Sequence, residues 1–97
     1  MDEAAVREHA AAHGAAVVDG DLRKASGDLT EEARGQAGDV MRQIPDPLAG
    51  AEVTDIRFEG EDAVATIVYS GGDSSVTVES TWSEREGRPM IVDLSIP

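Results

Sequence analysis

Near residue 45 this sequence changes its period, and that switch constrains its fold more than any other feature. Up to Ile44 the apolar residues recur at helical spacing, while beyond Pro45 and Pro47 they mostly alternate, one in and one out. Helices first and strands second make an α+β domain, with the helices laid on one face of an antiparallel sheet. The expected domain is single and spans 1–97, with helices over about 3–44 and strands over about 51–97.

Within the first half, Val6, Ala10 and Val17 recur with alanines between them, and alanine is the best helix former. Their stripe is shallow, so this helix packs close to its neighbour. Gly14 interrupts it, as a close contact or as a weak point. Gly20 ends the helix, since glycine follows a last turn readily. Asp21 can cap the short helix LRKAS by accepting from backbone N–H groups two or three residues on. Thr30 caps a third helix over about 31–43, with Glu31 and Glu32 at the positive end of its dipole. Its buried stripe is Ala33, Ala37, Val40, Met41 and Ile44, and Pro45 and Pro47 stop it.

The second half offers VTDIRF, AVATIVYS, SVTVESTWS and MIVDLSI, separated by EGED, GGDS and EREGRP. These segments predict a four-stranded meander joined by tight hairpins. In the third strand Val76, Val78, Ser80 and Trp82 share a face opposite Thr77, Glu79, Thr81 and Ser83. In the fourth, Met90, Val92, Leu94 and Ile96 oppose Ile91, Asp93 and Ser95. The second strand is apolar on both faces, Ala63, Ala65, Ile67 and Tyr69 on one and Val64, Thr66 and Val68 on the other. A strand of that kind is expected to be covered on both sides. Helices cover one side. A second copy of the chain is expected on the other, through Val64, Val68 and Ile91 with Thr77, Glu79 and Thr81 as a polar rim.

Composition excludes several functions. Cysteine is absent, so there is no disulfide, thiolate nucleophile or cysteine–zinc site. Twenty acidic residues against eight basic ones give a net charge of −12. Nucleic acid and anionic membranes are poor partners for such a surface. The acidic N-terminus MDEAAVREHA lacks the pattern of a signal peptide, and no apolar run reaches the ~20 residues that span a bilayer. A cytoplasmic protein is expected.

The order of elements resembles the nuclear transport factor 2-like superfamily, also called cystatin-like α+β. Val17-Val18-Asp19-Gly20-Asp21-Leu22 is similar to that family's bend after the first helix. Trp82-Ser83-Glu84-Arg85-Glu86-Gly87-Arg88-Pro89-Met90-Ile91-Val92-Asp93 is similar to its last hairpin. The resemblance implies helices packed on a curved four-stranded sheet around a ligand cavity. Leu29 leads straight into the helix capped by Thr30, so the strand hairpin the family carries between its second and third helices is absent. The cavity should be smaller or open at one end, with few aromatics on its wall.

Candidate chemistry is sparse. In Asp19-Gly20-Asp21, a calcium loop of the EF-hand kind would need a ligand at Arg23 and glycine at Lys24, so no metal is expected there. His9 and His13 lie four apart and can share a helix face, yet no third metal ligand is evident. Isomerase chemistry of the kind the resemblance suggests needs a carboxylate base and an oxyanion hole in an apolar pocket. Tyr69, Asp55 and Asp93 supply those residue types, although Asp93 alternates away from Val92 and Leu94. No G-x-S-x-G or phosphate-cradling loop is present. The ligand-pocket candidates are therefore His13, Tyr69 and Trp82, with no catalytic residue, metal or cofactor expected. Trp82 should be buried between helices and sheet. The expected function is non-catalytic binding of a small apolar ligand or a protein partner, as a homodimer. The alternatives are a small isomerase- or cyclase-like enzyme with a carboxylate or histidine base, and an acidic protein-interaction subunit.

Overall fold

The computed structural model describes residues 1–97 and places every expected element. Helices α1 (Glu3–Asp19), α2 (Leu22–Gly27) and α3 (Glu31–Gln43) precede strands β1 (Gly50–Glu59), β2 (Asp62–Gly71), β3 (Ser74–Arg85) and β4 (Arg88–Ser95). The strands form one open antiparallel sheet in the order β1-β2-β3-β4. This is an α+β domain with a meander sheet. No helix is long and apolar enough to cross a membrane.

The bends between helices follow from their caps. Gly20 sits in the left-handed region at φ 75° and closes α1, its N–H reaching back to the Ala16 and Val17 carbonyls. Asp21 then accepts from the Lys24 N–H at 3.2 Å and starts α2. Thr30 accepts from the Ala33 N–H at 3.4 Å and starts α3. Asp19-Gly20-Asp21 is thus an interhelical bend.

The inner layer explains the alanine richness of α1. Val6 and Ala10 are fully buried, and a Cβ added at Gly14 would lie 3.0 Å from the Ala51 Cβ of β1. Gly14 is therefore a close contact between helix and strand. Across β2 and β3 the inner face carries Ala63, Ala65, Ile67, Tyr69, Val78 and Trp82, all buried. Trp82 is 0% exposed. Its indole N–H donates to Ser80 Oγ at 3.0 Å, and Ser80 donates to the Ala65 carbonyl at 3.0 Å. The largest core side chain is thereby buried with its polar atom satisfied.

Strict alternation fails in β4. Thr81 pairs with Asp93 but Trp82 pairs with Ile91, so Val92 is an extra residue in a bulge. The bulge turns both Ile91 and Leu94 toward the inner face. Ile91 is fully buried there and does not lie on the outer face as alternation placed it. Met90 and Leu94 consequently do not share a face.

Two further expectations are corrected. Met41, assigned to the buried stripe of α3, is 45% exposed, while Val40 beside it is buried. Val64, expected on the outer face under a second copy of the chain, is already buried within one chain. Arg57 of β1 and Thr81 of β3 pair with it on either side, and Arg57 donates across β2 to Glu79 at 2.9 Å. That ion pair, with its methylene stems, lies over the valine.

The free edge of β4 is covered by the helical half. Ile91 N–H donates to the Asp28 carbonyl at 2.7 Å, and Thr30 N–H donates to the Ile91 carbonyl at 2.9 Å. Further along, the Leu94 N–H donates to Gln36 Oε1, and Gln36 Nε2 donates to Asp93, both at 2.8 Å. Residues 28–30 thus run beside β4 and protect an edge that would otherwise be open to pairing.

Candidate functional site

Between the helical layer and the sheet lies a cavity of about 130 Å³, lined by 13 residues of which 11 are hydrophobic. Val17 of α1, Leu22 and Ala25 of α2 and Ala37, Val40 and Met41 of α3 form its helical wall. Tyr69, Val78 and Leu94 form its floor on the sheet. It exists because α3 packs on β4 while α1 packs on β1 and β2 and α2 packs against α1, leaving space between them. Leu22 and Met41 both line the cavity and are both exposed, at 60% and 45%, so they mark its mouth.

Three side chains bring polar atoms to this wall. Ser26 turns its hydroxyl to the Arg23 carbonyl at 3.3 Å. Tyr69 is buried, and burial pushes its phenol up to about 12, so the hydroxyl stays protonated at neutral pH. His13 is buried, with Nδ1 3.0 Å from Asp28 Oδ2. No sealed side-chain polar atom in the protein lacks a partner. His13 and Tyr69 line the cavity, and neither His13 Nε2 nor the Tyr69 hydroxyl has a protein partner.

Asp28 is the centre of the polar cluster behind His13. It is only 2% exposed, yet four side-chain bonds converge on its carboxylate. His13 Nδ1 and Lys24 Nζ reach Oδ2 at 3.0 Å, while Lys24 Nζ at 3.2 Å and Arg88 Nη2 at 3.1 Å reach Oδ1. Burial alone would raise this carboxyl. The hydrogen bonds and charges of His13 and Lys24 outweigh it and hold Asp28 below the ordinary carboxylate range. Asp28 is therefore an ionised acceptor at neutral pH. The cluster also ties α1, α2 and the β3–β4 hairpin together through one residue.

His13 and Tyr69, two of the residues expected to line a pocket, meet on one cavity. Trp82 does not line it. Its ring packs behind His13, edge to face, with centroids 6.1 Å apart, and His9 flanks it at 6.2 Å. His9 and His13 do share a helix face, and what they share there is Trp82. Tyr69, Asp55 and Asp93 are not brought together. Asp55 pairs with Thr66 and Asp93 with Thr81, both on the outer face and both exposed, while Tyr69 points inward. Asp93 is held by Gln36 at the sheet edge.

Asp28 itself was not singled out by sequence reasoning. Its spacing of four from Lys24 signals an ion pair on a helix end. Its bond to His13, fifteen residues earlier, arises only when α2 folds back beside α1. No protein family, curated protein or solved structure matches this chain.

Proposed function

We propose that this protein is a small-ligand-binding domain of the nuclear transport factor 2-like kind, cytoplasmic and non-catalytic, whose ligand is a small apolar molecule. The observation that carries the reading is the apolar cavity of about 130 Å³ with exposed Leu22 and Met41 at its mouth. A dry engineered cavity of ~150 Å³ with an aliphatic and aromatic lining binds benzene, so this one suits a ligand of about one ring. Pockets of this type pair an apolar lining with a few placed polar groups, here His13 and Tyr69. A homodimer through the outer face would rest on Val68 and Thr66, since Val64 is covered and Ile91 faces inward. Ligand binding requires no second copy.

The test is a thermal-shift and NMR titration with toluene. Binding to the folded state alone raises stability by RT ln(1 + [L]/Kd), so the melting temperature should climb with concentration and saturate. An Ala37→Leu variant, which fills the cavity from α3, should keep its fold and lose the shift. A melting temperature unmoved by toluene up to its solubility limit would remove this reading.

The His13–Asp28 pair supports a second reading, an enzyme with a histidine base. A carboxylate that fixes one imidazole nitrogen while the other faces an apolar cavity is the arrangement of an oriented general base. Turnover of a small carbonyl compound that is lost in His13→Gln while toluene binding persists would favour this reading over simple binding.

A further inference from the structure

We infer that the cavity selects a neutral ligand that donates a hydrogen bond, a phenol or a small cyclic alcohol, and that His13 Nε2 is the acceptor that selects it. The inference rests on the ligand-binding reading above and adds the chemical class of the ligand.

An ionised carboxylate can only accept hydrogen bonds. Held by Lys24 and Arg88 as well as His13, Asp28 is such a carboxylate. The proton in the 3.0 Å contact with His13 therefore belongs to Nδ1. In a neutral imidazole that choice leaves Nε2 with a lone pair and no proton. In that neutral form His13, whose side chain lines the cavity, offers Nε2 as a fixed acceptor. The partner that fixes it lies behind the ring, on α2's C-terminal side, and does not line the cavity.

The remaining polar groups do not oppose this choice. The Tyr69 hydroxyl can donate or accept, so it suits donors and acceptors alike. Ser26 is engaged with the Arg23 carbonyl. Lys24 and Arg88 are spent on Asp28, and neither lines the cavity. An anionic ligand would find no cation there, and a cationic one no carboxylate. A ligand that only accepts would set its lone pair against that of Nε2. Burying a polar group without a partner is costly, and this asymmetry gives hydrogen-bonding sites their selectivity.

Three ring compounds of similar size test the inference: phenol, which donates; anisole, which only accepts; and toluene, which does neither. Affinities would be measured by NMR titration at a pH where the ¹⁵N spectrum of His13 shows a neutral ring. A purely apolar cavity would favour toluene over phenol. The expected order here is phenol first, by roughly tenfold over toluene and more over anisole. The imidazole nitrogens of His13, observed by ¹⁵N NMR in the unmutated protein, should show Nδ1 protonated and Nε2 bare, with Nε2 shifting when phenol binds. Asp28→Asn can present an amide N–H to Nδ1, which would move the proton to Nε2 and turn the preference toward anisole. Where that variant fails to fold, the nitrogen spectrum of the unmutated chain still decides. Toluene binding more tightly than phenol, or a proton found on Nε2, would overturn the inference and leave the ligand reading standing. Binding of none of the three would overturn both.

Discussion

Replacing Asp28 with alanine should destabilise this protein more than any other single change to a surface or polar residue. Its carboxylate is buried and bonded to His13, Lys24 and Arg88. Removing one partner of a buried ion pair costs ~3–5 kcal/mol when the other stays buried. Here Lys24 and Arg88 are about half exposed and can return to water, which lowers their share. His13 cannot, because its side chain is only 7% exposed. A buried donor left without an acceptor costs ~1–3 kcal/mol. The combined loss is about 2–4 kcal/mol, within a total stability of order 5–15 kcal/mol for a domain. In a urea titration at pH 7, followed by Trp82 fluorescence, the midpoint should fall by roughly 2 M for a slope near 1–1.5 kcal/mol/M. Lys24→Ala and Arg88→Ala should each cost under about 1 kcal/mol. The pH dependence adds a sign. The folded carboxyl titrates below its unfolded value of 3.8, so its contribution is complete above that pH and fades as pH falls through the lower folded value. The gap between the unmutated chain and Asp28→Ala should therefore narrow below about pH 4. An Asp28→Ala loss no larger than that of Lys24→Ala, or a gap that is constant down to pH 2.5, would refute the reasoning.

Other expectations follow from single contacts. Trp82→Ala should cost ~3–5 kcal/mol, and an unchanged midpoint or a water-like emission maximum in the unmutated protein would contradict its burial. Asp21→Ala should lose ~0.5–2 kcal/mol of capping, read by urea denaturation, while millimolar calcium leaves the melting temperature of the unmutated chain unmoved. Gln36→Ala should release the Leu94 amide at the β4 edge and cost ~1 kcal/mol, with faster hydrogen exchange confined to residues near 93–96 as the discriminating sign.

Much of the architecture was legible because local rules agree with each other. The Asp21 and Thr30 caps and the Gly20 terminator fix helix ends through backbone chemistry within three residues, so their positions can be read without tertiary knowledge. The alternating strands and their glycine-bearing turns behave likewise, and each hairpin closes through two residues. Legibility ended where one residue breaks a period. Val92 adds itself to β4 with no glycine or proline to announce it, and every face assignment from Ile91 backward changes sign as a result. Val64 escaped for a related reason. Its burial comes from Arg57 and Glu79 on two other strands, whose pairing across β2 depends on register.

The site shows the same limit in sharper form. His13 and Tyr69 were legible as candidates because imidazole and phenol are uncommon in this chain and both fall on inward faces. Asp28 was hidden among twenty acidic residues, most of them exposed and solvating. Composition makes an aspartate the least informative letter in such a sequence. Folding makes this one the most constrained, because α2 brings it under His13 while the β3–β4 turn brings Arg88 over it. In a chain of net charge −12, a buried carboxylate survives only where cations are concentrated on it, and two of the eight basic residues are spent there. That expenditure fixes the proton on one nitrogen of His13, a side chain that lines the apolar cavity. The polarity of the cavity wall is therefore set by a residue that does not line it.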